Sequence, residues 1–557
     1  MRFRAQTRAS ATLLAAALLL SCSPAPADPP APATAPAAVP AGPPRLVVAI
    51  SVDQFSADLF AQYREHYTGG LARLLRGAVF PSAFQSHAAT ETCPGHSTIL
   101  TGAHPARTGI IANNWFVPGL ARSEKKVYCA EDENDPSGTS RDPVISAVHL
   151  RVPTLGEFMK QADARSRNVA VSAKDRAVMM MGGHAIDAAY WALKGQFVTL
   201  GGRPVGPAAR AVNAAMVSAV ARGAPAYVPP AWCAAHERPV LAGRVGTGRF
   251  ALAAGDADAF RLSPRMDAAT VDLAVKLVDE DRLGKGPAPD LLSVSLSATD
   301  YIGHAFGNQG MEMCIQMAEL DRSLGRLFAA LDARGIDYTV MLTADHGGAD
   351  LPERLTEQAQ PFAGRADPAL EPGALGKAVA AELGLAVDGP LLLGDGAGGD
   401  VYLSSAVPAD QRPRVVAALV ARLRAHPQVA AVFTRAELAA LPVSAASPQD
   451  WTLAERARAS FDPQRSGDVV FLLRRAVLSG TAPVPGYVAG HGSPWDYDRR
   501  VPLLFWRKGM AGFEQPAPVE TVDIAPTLAA LLGLKLPKGT FDGRCLDLDA
   551  TAGTTCR

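Results

Sequence analysis

Thr92 is the first side chain whose surroundings indicate chemistry, because it lies just before a short helical pattern. Pro94 follows it, a short apolar run comes next, and Gly102 ends the segment. Proline is favoured in the first turn of a helix and glycine just after its end, so the pattern predicts a short helix beginning near Pro94. A helix N-terminus presents free N–H groups and the positive end of a dipole, which suits an anion such as phosphate. Taken alone, Thr92 is more simply interpreted as a helix cap.

Carboxylate and imidazole side chains at several places in the chain have the types that Zn²⁺ prefers, and catalytic zinc sites leave one coordination position open. A single Asp or His after a strand is more often a cap or a loop hydrogen-bonding residue. Several such places along one chain, each followed by glycine or a turn, favour a metal site that includes Thr92. The candidate ligands besides Thr92 are Asp53, Asp300, His304, Asp345, His346 and His491.

Four apolar runs predict the strands that position these residues. They span residues 45–51, 168–172, 291–296 and 338–343, and each is followed by polar side chains. Continuous apolar runs are typical of strands buried on both faces of a parallel sheet, and ligands bind beyond the carboxyl ends of such strands. The predicted fold is α/β, with a mostly parallel central sheet flanked by helices.

Helical spacing is clearest between the third and fourth strands. Apolar residues from Met313 to Leu331 recur at a helical period, and Gly335 ends the pattern. A further helix is predicted over residues 526–532. We assign the Met and Leu side chains of the long helix to the core, without a chemical role.

Two regions interrupt the alternation of strands and helices and are predicted to be inserted lobes that shape the cleft. They cover about residues 177–289 and 362–480 of a catalytic domain that spans residues 45–557. Within the second region, a strand at 400–403, a helix at 412–425 and a strand at 429–433 predict a small β-α-β unit. No internal repeat is visible.

The N-terminus is predicted to be a signal peptide over residues 1–22, because Arg2 and Arg4 precede a short apolar run. The segment ending at Cys22 is similar to a lipoprotein cleavage box, which would anchor the chain through a lipid on Cys22, whereas residues 25–27 offer ordinary cleavage. Residues 23–44 are rich in Pro and Ala and predict an extended linker. We therefore expect an exported, periplasmic protein, with outer-membrane anchoring as the lipoprotein alternative.

Charge and cysteine content narrow the class of protein. The chain has 54 basic and 54 acidic residues, so nothing in its net charge draws it to nucleic acid or to an anionic membrane. Six cysteines remain after Cys22, and an exported chain with that number predicts disulfides, of which Cys545–Cys556 is the first expected pair. The cysteines lack CxxC spacing, so a cysteine zinc site is not expected.

With these motifs in their order, the chain resembles the alkaline phosphatase superfamily, in the branch of bacterial alkaline phosphatases with a Thr nucleophile and a Lys/Arg pair. The resemblance covers about residues 45–540, and the phosphodiesterase/nucleotide pyrophosphatase branch is the nearest relative. It implies that Thr92 is the catalytic nucleophile and that Asn113 contacts a phosphoryl oxygen. It also implies two zinc ions, one held by Asp300, His304 and His491 and the other by Asp53, Asp345, His346 and the Thr92 oxygen.

Lys174 and Arg176 follow the second predicted strand and bear on the substrate class. Arginine makes bidentate contacts to phosphate oxygens and lysine acts as a point charge, so two cations favour the dianion of a phosphate monoester. Without the resemblance, the pair would be interpreted as solvated loop charges. With it, the pair matches the monoesterase branch and is expected to bind substrate.

Three functions are therefore open, and the first is expected: a broad phosphomonoesterase, monomeric, acting on small-molecule esters through a phosphothreonine. The second is a phosphodiesterase or nucleotide pyrophosphatase on the same scaffold. The third is an exported binding protein that has lost catalysis. A serine hydrolase is disfavoured because a Gly-x-Ser-x-Gly motif is absent from the sequence.

A few conspicuous residues receive no catalytic role at this point. Asn114, Trp115 and Phe116 either wall the leaving-group side or form a buried aromatic pair. Cys93 is expected to be buried or in a disulfide. The remaining histidines considered, His87, His96 and His184, are expected to be ordinary loop or core residues.

Overall fold

A computed structural model describes residues 42–242, 245–551 and 553–556. The predicted signal peptide, with Cys22 as its possible lipid-attachment residue, and residues 23–41 of the predicted linker lie outside the described residues. Among the residues that are described, the helices are all too short or too polar to cross a membrane.

In chain order, the strands of the described residues are β1 Leu46–Val52, β2 Ala78–Phe84, β3 Asn114–Phe116, β4 Lys126–Tyr128, β5 Asn168–Ser172, β6 Ala188–Leu193, β7 Gln196–Val198, β8 Asp290–Leu296, β9 Tyr338–Thr343, β10 Gly364–Arg365, β11 Leu392–Leu393, β12 Gly399–Leu403, β13 Val429–Thr434, β14 Val469–Leu473, β15 Val477–Leu478, β16 Arg500–Arg507, β17 Phe513–Glu514 and β18 Val519–Glu520. Ten of these strands form a central sheet in the order β17-β2-β16-β9-β1-β8-β5-β6-β7, with β18 also paired to β2. The four predicted strands are confirmed as β1, β5, β8 and β9, with ends that differ by one residue or less from those predicted.

The centre of this sheet is parallel. β1 pairs in parallel with β8 on one side and with β9 on the other, and β5 continues the parallel arrangement beyond β8. β16 then pairs antiparallel with both β9 and β2. All seven residues of β1 are buried, as expected for a strand covered by helices on both faces. The carboxyl ends of β1, β5, β8 and β9 therefore meet at one edge of the sheet.

Helices cover the sheet, and the longest confirms the predicted apolar period with a start two residues earlier than Met313. The predicted C-terminal helix is also present, from Ile524 to Leu531. In chain order, the helices are α1 Ala57–Tyr63, α2 Gly70–Leu74, α3 Thr92–Thr101, α4 Pro105–Thr108, α5 Leu155–Ala162, α6 Asp175–Gly182, α7 Pro207–Arg222, α8 Ala257–Arg261, α9 Arg265–Glu280, α10 Ala298–Phe306, α11 Met311–Ala333, α12 Pro352–Glu357, α13 Pro372–Leu383, α14 Arg412–Ala425, α15 Arg435–Ala440, α16 Leu453–Ser460, α17 Asp496–Arg499 and α18 Ile524–Leu531.

The two regions interpreted as insertions differ in structure. β6 and β7, which fall within residues 177–289, extend the central sheet beyond β5. Residues 362–480 instead hold a four-stranded sheet in the order β11-β12-β14-β13, with its own apolar core. The predicted β-α-β unit is formed by β12, α14 and β13, and β14 lies between its two strands and runs antiparallel to both.

Three disulfides cross-link the described chain. Cys545–Cys556 confirms the pair expected from the sequence, and Cys93 is bonded to Cys129, 36 positions away. The third bond joins Cys233 and Cys314 across 81 positions. This last bond ties the connection after α7 to the long helix α11.

Just before α4, His104 forms a buried ionic contact that spans the sequence. Its Nε2 lies 3.1 Å from Glu520 Oε1 and its Nδ1 lies 3.4 Å from Asp542 Oδ2. Burial opposes protonation, but the hydrogen bonds to Asp542 and Glu520 outweigh it and raise the pKa of His104 to about 9. The contact fastens α4 to the C-terminal segment.

Candidate active site

Thr92 is the first residue of α3, and its whole helix is buried. The predicted start near Pro94 is two residues late, because Glu91 is the N-terminal cap residue and Thr92 already has helical geometry. Gly102 ends the helix in a left-handed conformation, as predicted. Gly95 allows the helix to approach the end of β9, since a Cβ there would lie 2.0 Å from the Asp345 carbonyl oxygen. The hydroxyl of Thr92 is therefore placed against the carboxyl ends of the strands rather than used as a cap.

One candidate ligand group consists of Asp53, Asp345 and His346. A ligand atom from each lies within 4.8 Å of the others, and all three side chains are buried. Asp53 Oδ1 and His346 Nε2 have no hydrogen-bond partner among the described residues, whereas Asp53 Oδ2 lies 2.5 Å from Lys174 Nζ and Asp345 Oδ2 lies 3.0 Å from His96 Nδ1. Buried polar atoms are normally paired, so the two atoms without a partner fit a cation that the group would share.

The second candidate group consists of Asp300, His304 and His491, whose ligand atoms also lie within 4.8 Å of one another. Asp300 and His304 share one face of α10, which places His304 Nε2 3.2 Å from Asp300 Oδ1. His491 comes from the loop before α17 and places its Nε2 3.4 Å from the same oxygen. Six residues from distant parts of the chain are thus brought together in two adjacent groups.

The three histidines are oriented in the same way. In each, Nδ1 lies 2.8 to 2.9 Å from a backbone carbonyl oxygen: that of Ala489 for His304, Gly347 for His346 and Thr90 for His491. A carbonyl can only accept, so Nδ1 carries the proton and Nε2 is left with its lone pair toward the ligand group. This arrangement is typical of metal-binding histidines. Burial also lowers the pKa of His346 to about 3, which keeps the ring neutral.

The carboxylates of the two groups repel one another. Burial and the charges of Asp300 and Asp345 raise the pKa of Asp53 well above its usual value. Lys174 partly offsets this repulsion, because its Nζ lies 2.5 Å from both Asp53 Oδ2 and Asp300 Oδ2. The concentration of negative charge in a buried place is the electrostatic environment that a divalent cation stabilises.

Lys174 and Arg176 both face Thr92. Lys174 Nζ lies 3.4 Å and Arg176 Nη2 lies 3.5 Å from Thr92 Oγ1. Although burial opposes it, the charges of Asp300 and Asp53 raise the pKa of Lys174, so this side chain is a cation. The hydroxyl is therefore bordered by two positive charges, as expected for a group that receives an anionic substrate.

Asn113 is fixed beside the first turn of α3. Its Oδ1 accepts a hydrogen bond of 2.8 Å from the Cys93 N–H, and its own N–H donates to Glu91 Oε2 over 2.7 Å. The disulfide from Cys93 to Cys129 ties the same turn to the segment after β4. These contacts leave the Nδ2 donors of Asn113 available to an oxygen near Thr92.

His96 contacts the site although it was assigned no role from sequence. Its Nδ1 lies 2.9 Å from the Thr92 carbonyl oxygen and 3.0 Å from Asp345 Oδ2, and its Nε2 lies 3.0 Å from Ser295 Oγ. The signal available in the sequence was its spacing of four from Thr92, which places both on one helix face. His96 thus connects the candidate nucleophile to one ligand group.

The remaining aromatic and histidine residues considered from sequence lie either in the core or nearer the surface. Trp115 is buried, whereas Phe116 packs against Tyr402 at a ring distance of 5.6 Å. His87 is fully buried in the core. His184 is partly exposed and lies 3.2 Å from a Glu157 oxygen. Of the histidines set aside from sequence, two therefore remain without a place in the site.

The fold and this site define an α/β protein with two candidate metal-ligand groups at the carboxyl edge of its central sheet, and comparison with known proteins identifies the family. A family model described as type I phosphodiesterase / nucleotide pyrophosphatase matches residues 47–493. The chain belongs to this family, and the resemblance to the alkaline phosphatase superfamily is confirmed.

Within the family, the chain is similar to bacterial proteins named as alkaline phosphatases. It is 52% identical to alkaline phosphatase PhoK of Sphingomonas sp over 524 residues, which cover 93% of this chain and 94% of that protein. It is 49% identical to alkaline phosphatase PhoD of Zymomonas mobilis, with coverage of 92% and 89%. The crystal structure of alkaline phosphatase PafA matches with a TM-score of 0.79 and 27% identity over 92% of this chain and 99% of that one, which confirms the predicted fold class.

Proposed function

We propose that this chain is an alkaline phosphatase, a metal-dependent hydrolase of phosphate monoesters with Thr92 as its nucleophile. The observation that carries the proposal is the placement of the Thr92 hydroxyl beside Lys174 and Arg176, with Lys174 also contacting one carboxylate of each candidate metal-ligand group. Relatives named as alkaline phosphatases at 52% and 49% identity support the same function. The expected range of small-molecule monoesters is broad.

The donor set fits two zinc ions. Asp300, His304 and His491 would hold one ion, and Asp53, Asp345 and His346 would hold the other together with the Thr92 oxygen. The unpaired Asp53 Oδ1 and the Nε2 atoms that face the ligand groups support this assignment. Bound there, zinc supplies Lewis-acid activation of the attacking hydroxyl and stabilises the charge on the leaving oxygen.

The chain's own residues account for the remaining chemistry. Thr92 Oγ1 loses its proton to solvent and attacks phosphorus; the new Oγ1–P bond forms as the bond from phosphorus to the ester oxygen breaks, and that oxygen takes a proton from solvent and leaves as the alcohol. Water then attacks the phosphothreonine, which releases phosphate and restores the hydroxyl. Lys174 and Arg176 hold the non-bridging oxygens throughout, and Asn113 donates an amide hydrogen bond to one of them. His96 fixes the turn that carries Thr92.

A phosphodiesterase is the alternative, and the description of the matching family model favours it. The geometry of the cations favours the monoesterase. Lys174 and Arg176 both face the Thr92 hydroxyl, and a monoester dianion carries one more negative charge than a diester. Two cations at that position, one of them the buried Lys174, stabilise the dianion more than the singly charged diester.

The setting of the enzyme is proposed from the sequence and the disulfides. Residues 1–22 act as an export signal, with a lipid on Cys22 as the alternative to a free periplasmic protein. Three disulfides among the six remaining cysteines support an oxidising compartment. The catalytic domain covers residues 45–557, with residues 362–480 as a lobe over the site, and acts as a monomer.

The test is a pair of rate measurements on purified protein. Zinc-loaded enzyme is expected to hydrolyse p-nitrophenyl phosphate with a higher kcat/KM than bis-p-nitrophenyl phosphate, and to lose both activities in a chelator until zinc is returned. Acid quenching during turnover should trap phosphate on Thr92, detected by peptide mass spectrometry. Preference for the diester would support the alternative, and phosphate binding without turnover would identify a binding protein.

A further inference from the structure

A large cleft opens from the candidate site toward the lobe of residues 362–480. It encloses about 1290 Å³, including the solvent at its mouth. His491, a member of one ligand group, lines it, and so do Glu91 and Asn114, which flank Thr92 and Asn113 in sequence. The organic part of a substrate held at Thr92 therefore has this space beside it.

The cleft is acidic. Its lining contains five carboxylates and, among the residues that the structure describes, neither lysine nor arginine. Arg354 lies 2.7 Å from one of them, Asp350, and Lys126 lies 3.3 Å from another, Asp395. The five carboxylates are Glu91, Asp350, Asp395, Asp400 and Asp498.

The other three carboxylates form no ion pair with a described residue, and each is held by a backbone N–H. Asn113 N–H donates to Glu91 Oε2 over 2.7 Å, Gly467 N–H donates to Asp400 Oδ1 over 2.6 Å, and Ser493 N–H donates to Asp498 Oδ2 over 2.8 Å. Each hydrogen bond occupies one carboxylate oxygen and fixes the side chain.

Of these three carboxylates, Asp498 combines complete burial with an unpaired oxygen. The residue is completely buried, and its Oδ1 has no hydrogen-bond partner among the described residues. A buried carboxylate oxygen without a partner is costly and is normally satisfied by a donor or a cation. A cation in the cleft offsets the charge of this carboxylate through space, without contacting the buried oxygen.

Aromatic rings line the same space. Phe116 and Tyr402 are in contact, and Phe461, Phe471 and Tyr497 also belong to the lining. Faces of aromatic rings attract organic cations, and carboxylates beside them add to this attraction. A neutral apolar group would gain from the rings alone, whereas an anionic leaving group would be repelled by the carboxylates.

We propose that this cleft, lined by Glu91, Asp400, Asp498 and aromatic rings, selects phosphate monoesters whose alcohol carries an ammonium group. The inference rests on the proposed function, because it concerns the organic group of the ester that Thr92 cleaves. The phosphoryl group is held by Lys174 and Arg176, and the ammonium group lies among the carboxylates of the cleft.

Two substrates of the same shape test the charge preference. Phosphocholine and 3,3-dimethylbutyl phosphate differ only in the replacement of the quaternary nitrogen by carbon. The size of the alcohol and the position of the ester oxygen are therefore matched. Zinc-loaded enzyme is expected to show a kcat/KM for phosphocholine that is about tenfold higher. An equal or lower value overturns the inference if p-nitrophenyl phosphate is hydrolysed. If none of the three esters is hydrolysed, the proposed function is overturned as well.

Asp400→Asn and Asp498→Asn link the preference to the cleft, because each keeps an oxygen for the backbone N–H and removes the charge. Each is expected to lower the ratio of the two kcat/KM values about threefold or more. The ratio is independent of the fraction of folded enzyme, so partial misfolding leaves the test intact. Asp410→Asn, on an exposed loop, is the matched control and should keep the ratio. An unchanged ratio in both cleft variants overturns the inference.

Discussion

The two cations beside Thr92 provide the sharpest prediction for substrate choice. Lys174 is 4% exposed, and its Nζ lies 3.4 Å from Thr92 Oγ1, with Arg176 Nη2 at 3.5 Å from the same oxygen. A phosphoryl group that reacts with this hydroxyl must place its non-bridging oxygens within reach of both. Replacement of either side chain by alanine removes one positive charge from that position.

The size of the effect follows from the charge difference between the two ester classes. One unit charge at about 4 Å in an effective dielectric of about 20 interacts by about 4 kcal/mol. The extra charge of the monoester is spread over several oxygens at different distances, so roughly half of this energy, about 2 kcal/mol, distinguishes it from a diester. An energy of that size corresponds to a factor of about 30 in kcat/KM.

The assay compares p-nitrophenyl phosphate and bis-p-nitrophenyl phosphate in Lys174→Ala and Arg176→Ala, with zinc content measured in each preparation. The monoester-to-diester ratio of kcat/KM is expected to fall about 30-fold in each variant, while Lys508→Ala, an exposed control, keeps the ratio. Equal losses on both esters would refute the argument, because the two cations would then act on something common to both reactions.

Three further predictions concern the nucleophile, the buried histidine and the long-range disulfide. Thr92→Ala should lower monoesterase kcat/KM at least a thousandfold, whereas Thr92→Ser should retain most of it; a small loss in the alanine variant would contradict the nucleophile role. Because the pKa of His104 rises from an unfolded value near 6.5 to about 9, its contribution to stability, roughly 3 kcal/mol, is present below pH 6.5 and is lost as pH rises through 9. His104→Asn should therefore lower the urea midpoint strongly at pH 6 and hardly at pH 10, and a pH-independent loss would disprove the linkage. The Cys233→Ala/Cys314→Ala pair should lower the unfolding free energy by about 4 kcal/mol, since the bond closes a loop over 81 positions; an unchanged denaturation curve would show that this loop is not constrained in the unfolded chain.

The central part of the fold could be predicted because its signals are local. β1, β5, β8 and β9 are short apolar runs that end in polar residues, and burial on both faces of a parallel sheet requires that composition. The antiparallel strand β16 was not predicted, and its pairing with β9 and β2 has no local signal in the sequence. The position of β14 between β12 and β13 was not predicted either, because it too depends on pairing between separate segments.

The candidate site residues were predicted mainly from the types of residue in the motifs and the order of those motifs along the chain, and less from predicted helices and strands. The structure places Asp53, Asp345 and Asp300 at the ends of the strands that the sequence indicated, because those ends share one edge of the sheet. His96 was missed, since a histidine inside an apolar helix segment has the pattern of a core residue. The acidic cleft was also missed, because its carboxylates, such as Asp400 in β12 and Asp498 in α17, come from separate elements that only the folded chain brings together.

The most direct test of the two-metal site is anomalous diffraction from crystals of the zinc-loaded protein, measured on both sides of the zinc absorption edge. Two zinc peaks are expected, one at Asp300, His304 and His491, and the other at Asp53, Asp345 and His346 next to the Thr92 hydroxyl. Active crystals with no zinc peak at either group, or with their only zinc peaks elsewhere on the protein, would contradict the assignment of this place as the catalytic centre.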